Sequence, residues 1–339
     1  MKVIIDCDPG NGVPGSNVDD GLAVALAIAA RDRIELDAIT IVAGNTTHRV
    51  GYAVAETMLA EFGVDVPLYL GAELPLIEDP DRWRTHLDRG SDPTVTELWR
   101  DSPRPKGFRA APSRPAAQAI GELVTTYPGE VTIVAIGPLT NIALALRLYP
   151  GLANAIQRIV VMGGVFDVDG YLVDTNFGYD PEAAAAVMNS GAPITLVPMD
   201  VTTKTLLTHR DLDRLERIDN RLTRYIVPTL RPWVNYMDTT RTIGGMWIHD
   251  VVAVAVLLDP SIATSRRSSI SVELAPGLSR GRTARWTPGI LQSRGDPTFT
   301  EPPPVDVLVD IDNERLLELM TDVIGSSSWP ATTSSENGL

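Results

Sequence analysis

The chain has 339 residues, 44% hydrophobic and 21% charged, which suits a globular protein able to bury a substantial core. Its net charge of −14 argues against general binding to nucleic acid or to an anionic membrane and favours a small neutral or metal-bridged ligand. The single cysteine, Cys7, excludes an internal disulfide and suits a reducing compartment. The chain enters a strand after Met1 and Lys2, and its longest apolar run, Leu22 to Ala30, is far short of the ~20 residues a membrane span needs. A soluble cytoplasmic protein is expected.

In chain order, Val3, Ile4 and Ile5 read as a buried strand and Leu22 to Ala30 as a largely buried helix. Ile34 to Val42, a helix from His48 to Phe62 and the strand Val66 to Leu70 continue the rhythm of a parallel sheet. From Pro75 to Pro112 the pattern breaks into a segment rich in Pro, Arg, Trp and Asp, longer than ordinary connections and of a kind that is usually functional or mobile. Regularity returns with a helix Arg114 to Thr126, strand Val131 to Ala135, helix Asn141 to Tyr149, strand Arg158 to Met162, helix Pro181 to Ser190 and strand Ile194 to Pro198. Beyond Thr202 come helices Leu212 to Asp238 and Trp247 to Leu258, late strands at Ile270 to Leu274, Thr283 to Thr287 and Val305 to Asp310, and a closing helix Glu314 to Val323. The expected architecture is α/β: a single domain over residues 1–325 with a mostly parallel central β-sheet flanked by helices, and a disordered tail at 326–339.

The chemistry concentrates behind the first strand. Asp6-Cys7-Asp8-Pro9-Gly10 and Asp19-Asp20 bring four acids to one strand-to-helix corner, the edge at which open α/β sheets bind ligands. Such crowding needs a cation, a shared proton or a hydrogen-bonding ligand, and a hard divalent metal is the simplest. Asp19-Asp20 could instead favour the helix dipole, and Asp6-Cys7-Asp8 has the D-x-D look of phosphatases with an aspartate nucleophile. Asp250, beside His249 at a later helix start, adds a distant acid of the kind a calcium or magnesium site recruits. Cys7 reads as a small buried residue, since a thiolate among carboxylates is disfavoured.

Asp6, Asp8, Pro9, Gly10, Asp19 and Asp20 match the aspartate motif of the inosine-uridine preferring nucleoside hydrolases, which this sequence resembles over nearly its whole length. The resemblance continues in order through Ala43-Gly44-Asn45, Ile136-Gly137-Pro138-Leu139-Thr140-Asn141, Val161-Met162-Gly163-Gly164, Asp174-Thr175-Asn176, Asp180-Pro181-Glu182-Ala183-Ala184 and His249-Asp250. It implies an open Rossmann-like core and Ca²⁺-dependent hydrolysis of the N-glycosidic bond of ribonucleosides to ribose and free base. It also implies a homodimer or homotetramer. By that resemblance Asp8, Asp20, Asp250 and the main-chain carbonyl of Ile136 hold the Ca²⁺. Asp19, Asn45, Asp174 and Asn176 grip the ribose hydroxyls with Met162 close by. Asp8 is the expected general base and His249 the proton donor to the departing base.

Trp233, Tyr236 and Trp247 could stack on the nucleobase or belong to the core. Three departures touch substrate fit. Asn11 to Val18 stand where the family motif has a single residue, and Asn11 or Asn17 could reach the substrate from this insertion. Asp174 stands where the family usually has glutamate. His86-Leu87-Asp88-Arg89-Gly90 does not clearly reproduce the family's His-Gly motif, which leaves base preference open. Two other readings compete: a non-catalytic nucleoside- or ribose-binding protein, and a D-x-D phosphatase with Asp6 as nucleophile.

Overall fold

The computed structural model describes residues 1–290 and 300–326. Nine strands form one sheet: β1 (Lys2–Cys7), β2 (Glu35–Ile41), β3 (Leu68–Leu70), β4 (Val131–Ala135), β5 (Arg158–Met162), β6 (Ile194–Val197), β7 (Ala263–Val272), β8 (Thr283–Trp286) and β9 (Val305–Ile311). Their spatial order is β3-β2-β1-β4-β5-β6-β9-β7-β8. Strands β3 to β9 in that order pair in parallel, and β7 runs antiparallel to both β9 and β8. This is the single mostly parallel α/β sheet expected. Val3, Ile4 and Ile5 are fully buried because helices cover both faces of the sheet.

From β1 the chain crosses through the helix Asp19–Ala29 to β2 on one side, and later returns to β4 on the other. The carboxyl ends of β1 and β4 therefore flank a topological switch point, where a crevice opens beyond the sheet. Among the described residues no helix is long and apolar enough to cross a membrane.

Several elements differ from the sequence reading for local reasons. The expected helix Leu212 to Asp238 is two helices, His209–Glu216 and Arg221–Arg241. Asp219 takes a left-handed conformation (φ 53°) between them, and Asn220 caps the second helix in reciprocal bonds with Thr223. The irregular Pro75 to Pro112 segment contains helices Asp81–Leu87 and Pro93–Leu98, the latter capped by Asp92. β7 begins at Ala263 rather than Ile270, because its exposed stretch Thr264 to Arg267 carries no apolar signal. A short helix, Thr175–Tyr179, was not foreseen. Ser326 ends the last helix, Asn313–Ser326, and the remainder of the expected tail lies outside the described residues.

One side chain ties the strand ends together beneath the crevice. Asn141 accepts from Ala72 N (2.8 Å) and donates to Asp6 Oδ1 (2.8 Å) and to the Ile41 carbonyl (3.1 Å). Asp6 also accepts from the Thr40 hydroxyl (2.5 Å). Burial and these partners leave Asp6 raised to about 7, so it holds β1, β2 and the chain after β3 in register from inside the core. Asn141→Ala removes the central member and takes one bond each from Ala72 N, the Ile41 carbonyl and Asp6, which keeps only Thr40. We expect a loss of about 3 kcal/mol of stability, read as a lower urea midpoint; an unchanged midpoint would refute this bridging role.

Candidate active site

The crevice floor is built where three segments meet. β1 delivers Asp8 just past its last residue, the helix Asp19–Ala29 delivers Asp19 and Asp20 in its first turn, and the helix His249–Leu258 delivers Asp250 in its own. The two helices are Ala/Val-rich and buried, so they pack closely with their amino-terminal ends at the crevice. Backbone donors bind the acids into one cluster. Asp8 N donates to Asp20 Oδ1 (3.0 Å), Asp250 N to Asp19 Oδ2 (3.0 Å), and Asn45 donates its backbone N–H to Asp8 Oδ2 and its side-chain amide to Asp20 Oδ2 (3.1 Å).

The insertion at 11–18 leaves this corner intact. Val13 N bonds to Gly10 O and Ser16 N to Val13 O, folding the extra residues into consecutive turns. Buried Asn11 does not reach the pocket; its amide secures the loop to Val18 O and to Thr229 Oγ1, both at 3.0 Å. Gly12 is left-handed (φ 80°), and a Cβ there would collide with Pro103 O, which shows the insertion packed beneath the 76–112 segment. Ser16 and Asn17 reach the pocket wall.

Asp8, Asp19 and Asp20 are completely buried and Asp250 nearly so. Burial, and secondarily their neighbours' charges, pushes Asp8 and Asp19 up to about 7 and Asp20 and Asp250 well above the usual carboxylate range. Carboxylate oxygens of Asp19, Asp20 and Asp250 lie within 4.8 Å of one another, while Asp8 Oδ1 and Asp19 Oδ1 have no hydrogen-bond partner. An all-oxygen, acid-rich set with unpartnered buried oxygens fits a hard divalent cation. This close trio contains Asp19, which the resemblance assigns to the sugar, and not Asp8, whose second oxygen is drawn to the Asn45 N–H.

Around the floor, Asn45, Ile136, Met162, Asp174 and Asn176 all line one pocket with Asp250 and His249. Asn176 donates its side-chain amide to the Ile136 carbonyl (2.9 Å) and the Met162 carbonyl (3.1 Å). Asp174 caps the helix Thr175–Tyr179 through Phe177 N (3.0 Å) and takes Gly164 N (2.7 Å) on its other oxygen. Each carboxylate oxygen thus already accepts a backbone bond. Burial outweighs those bonds and raises Asp174 to about 6.

On the opposite wall, Trp233 and Trp247 both line the pocket. Trp233 is also a core residue, stacked on Tyr236 (5.4 Å between centroids) and edge-on to Trp99 (6.4 Å). His249 Nδ1 lies 2.6 Å from the Thr202 hydroxyl, and burial together with the Arg241 charge lowers its pKa to about 4. The ring is therefore neutral at pH 7 and offers an N–H rather than an imidazolium proton. His86 is exposed and does not line the pocket. Sequence reasoning missed Trp83, Arg89, Tyr171 and Arg241, which line it too. Their only signal was their place in or beside irregular chain, where loops carry function.

A family model described as inosine-uridine preferring nucleoside hydrolase matches residues 3–318, and the chain belongs to that family. It is 29% identical to probable uridine nucleosidase 2 of Arabidopsis thaliana, over 95% of this chain and 96% of that protein. Among solved structures it resembles a plant nucleoside hydrolase (TM-score 0.81, 28% identity, 96% of this chain and 99% of that one). It also resembles a purine-preferring ribonucleoside hydrolase from Gardnerella vaginalis (TM-score 0.79, 29% identity, covering 96% and 98%). The class is thus enzymatic, a nucleoside hydrolase.

The acid cluster has a consequence for stability. Its folded pKa values lie above the unfolded values of about 4, so the folded state without metal holds extra protons. Stability is then lost as pH rises from about 4 through about 7. Chelator-treated protein should melt at lower temperature at pH 8 than at pH 5.5, and a divalent cation should raise the melting temperature more at pH 8. Equal stabilisation at both values would contradict the cluster's role as a cation site.

Proposed function

We propose that the enzyme hydrolyses the N-glycosidic bond of ribonucleosides with Ca²⁺ at the acid cluster. The observation that carries this reading is the buried acid cluster, with unpartnered Asp8 and Asp19 oxygens, directly behind a pocket that its member Asp250 lines together with Asn45, His249, Trp233 and Trp247. Asp8, Asp20, Asp250 and the Ile136 carbonyl are the proposed ligands, with Asp19 on the side of the sugar. Asn176 occupies only one lone pair of the Ile136 carbonyl, and a carbonyl has two. Bound Ca²⁺ would supply the charge that orients the ribose hydroxyls and the attacking water.

The chain's own groups supply the rest. Asp19, Asn45, Asp174 and Asn176 would fix the ribose hydroxyls, with Met162 against the sugar. Asp8 as general base takes a proton from water as its oxygen bonds to the anomeric carbon and the C–N bond breaks. The positive charge that develops on the sugar is met by the surrounding carboxylates. With Thr202 donating to His249 Nδ1, the neutral ring would present its Nε2–H as a hydrogen-bond donor to the departing base, stacked by Trp247 and the pocket edge of Trp233, while the proton the base finally takes comes from solvent.

A D-x-D phosphatase is disfavoured because Asp6 is committed to Thr40 and Asn141 inside the core. By family resemblance we further propose a homodimer or homotetramer working in the cytoplasm. The test of the catalytic reading is ribose release from a panel of purine, pyrimidine and modified ribonucleosides, with Ca²⁺ and after chelation. Release should require the cation, and Asp8→Asn should lower kcat by roughly 10²- to 10⁴-fold while the fold is kept. Tight binding without turnover across the panel would replace the enzyme with a nucleoside-binding protein.

A further inference from the structure

The pocket carries two guanidinium groups that no acid neutralises. Arg89 donates Nη1 to the Gly15 carbonyl (2.8 Å) and sits over the Tyr236 ring at 6.0 Å. Arg241, the last residue of the helix Arg221–Arg241, hydrogen-bonds to the Tyr171 hydroxyl and sits over the rings of Tyr171 (5.5 Å) and Trp247 (5.8 Å). Both line the pocket. Among the described residues neither forms an ion pair, and what sets them apart is that both line one cavity and both stand over aromatic rings.

Their positions polarise the cavity. The acid cluster is buried, with no exposed surface on Asp8, Asp19 or Asp20 and only Asp250 of the four lining the pocket, whereas Arg241 is exposed. The Arg89 charge reaches Arg241 and, after burial, lowers its pKa; the Arg241 charge reaches His249 in turn. Arg241 therefore stands on the side of Trp247 and His249, where the proposed function puts the base. Trp83 lines the same cavity, and its Nε1–H has no partner. Two guanidinium donors without an acidic partner thus line this pocket.

We infer that this pocket prefers ribonucleosides whose base bears an anionic group, such as a ring carboxylate, held by Arg241 with Arg89 in support. The inference rests on the hydrolase reading of the site. A planar guanidinium already stacked on aromatic rings is pre-oriented for a carboxylate, which it binds through two parallel N–H bonds. The same group would relieve the repulsion between the two arginines. A neutral base leaves that repulsion in place and gives the guanidinium only carbonyl acceptors.

The test compares kcat/KM for uridine, its carboxylated counterpart orotidine, and uridine 5′-monophosphate, in the Ca²⁺-loaded enzyme and in Arg241→Gln, Arg241→Lys and Arg89→Gln. Melting curves confirm that each variant folds. The wild type should favour orotidine over uridine, and that ratio should fall roughly tenfold or more in Arg241→Gln through the orotidine KM. Arg241→Lys should keep part of it, and the orotidine KM should rise with salt while the uridine KM does not. Uridine turnover with no preference for orotidine overturns the inference, as does a ratio that Arg241→Gln leaves unchanged. A ratio unchanged while kcat falls for both substrates would make Arg241 a stabiliser of any leaving base. Preference for the monophosphate would place the anion on the sugar and overturn it as well. Should none of the three be hydrolysed, the hydrolase reading fails first. Equilibrium dialysis of orotidine and uridine against wild type and Arg241→Gln then decides the anion preference, and equal affinities overturn it.

Discussion

The structure turns on the desolvation of four carboxylates at one corner. Asp8, Asp19, Asp20 and Asp250 lie between apolar helices with no basic side chain bonded to any of them among the described residues, an arrangement that costs several kcal/mol per ion unless compensated. Part of the compensation is built into the fold. Two helices aim their positive ends at the cluster, and backbone N–H groups of Asp8, Asn45 and Asp250 each meet a carboxylate oxygen. The closeness of the helix backbones is itself sequence-driven, since Gly21, Ala23, Ala25, Ala253 and Ala255 present almost no side chain. What the backbone leaves uncompensated is negative charge, and the orphaned Asp8 and Asp19 oxygens mark where a cation belongs.

Polar side chains behind that cluster keep it from relaxing. Asn141 and Thr40 hold Asp6 one turn of chain behind Asp8, and Gly44 and Gly137 permit the backbone to close on the Asp8 carboxyl, where any Cβ would collide with it. Asn11 serves the same end from the other side by fastening the insertion to the helix Arg221–Arg241. Conserving the acid geometry thus takes polar side chains that touch neither sugar nor metal, which is how buried polar networks buy specificity of position.

The parallel half of the sheet was legible because Val3 to Ile5, Val131 to Ala135 (broken only by Thr132) and Ile159 to Met162 are short, mostly β-branched apolar runs bounded by turns, and such runs have few other uses. The acid corner was legible for a related reason: carboxylates next to a buried strand have no cheap alternative to a site. Asp174 was not. Its place in the motif suggests a sugar ligand, and nothing in the sequence says that each of its oxygens also accepts a backbone bond, from Phe177 and from Gly164. The break at Asp219 was hidden by continuous helical periodicity on either side of it. Arg89 and Arg241 were hidden because a charged residue in irregular chain or at a helix end is ordinarily solvated, and nothing local says that two of them, 152 residues apart in sequence, will line one cavity.

That meeting gives the pocket a direction. Ribose presents hydroxyl donors, which suit the acidic closed end; a nucleobase presents ring carbonyls and nitrogens, which suit a rim of guanidinium and indole N–H groups. A substrate entering in reverse would set hydroxyl donors against donors and base acceptors against carboxylates, an arrangement penalised at both ends at once. The charge gradient therefore specifies orientation before any single contact forms, and it does so within a protein whose overall charge would otherwise repel anions. In the proposed reaction, a base held by Arg241 would be free to leave first while the sugar stayed among the acids.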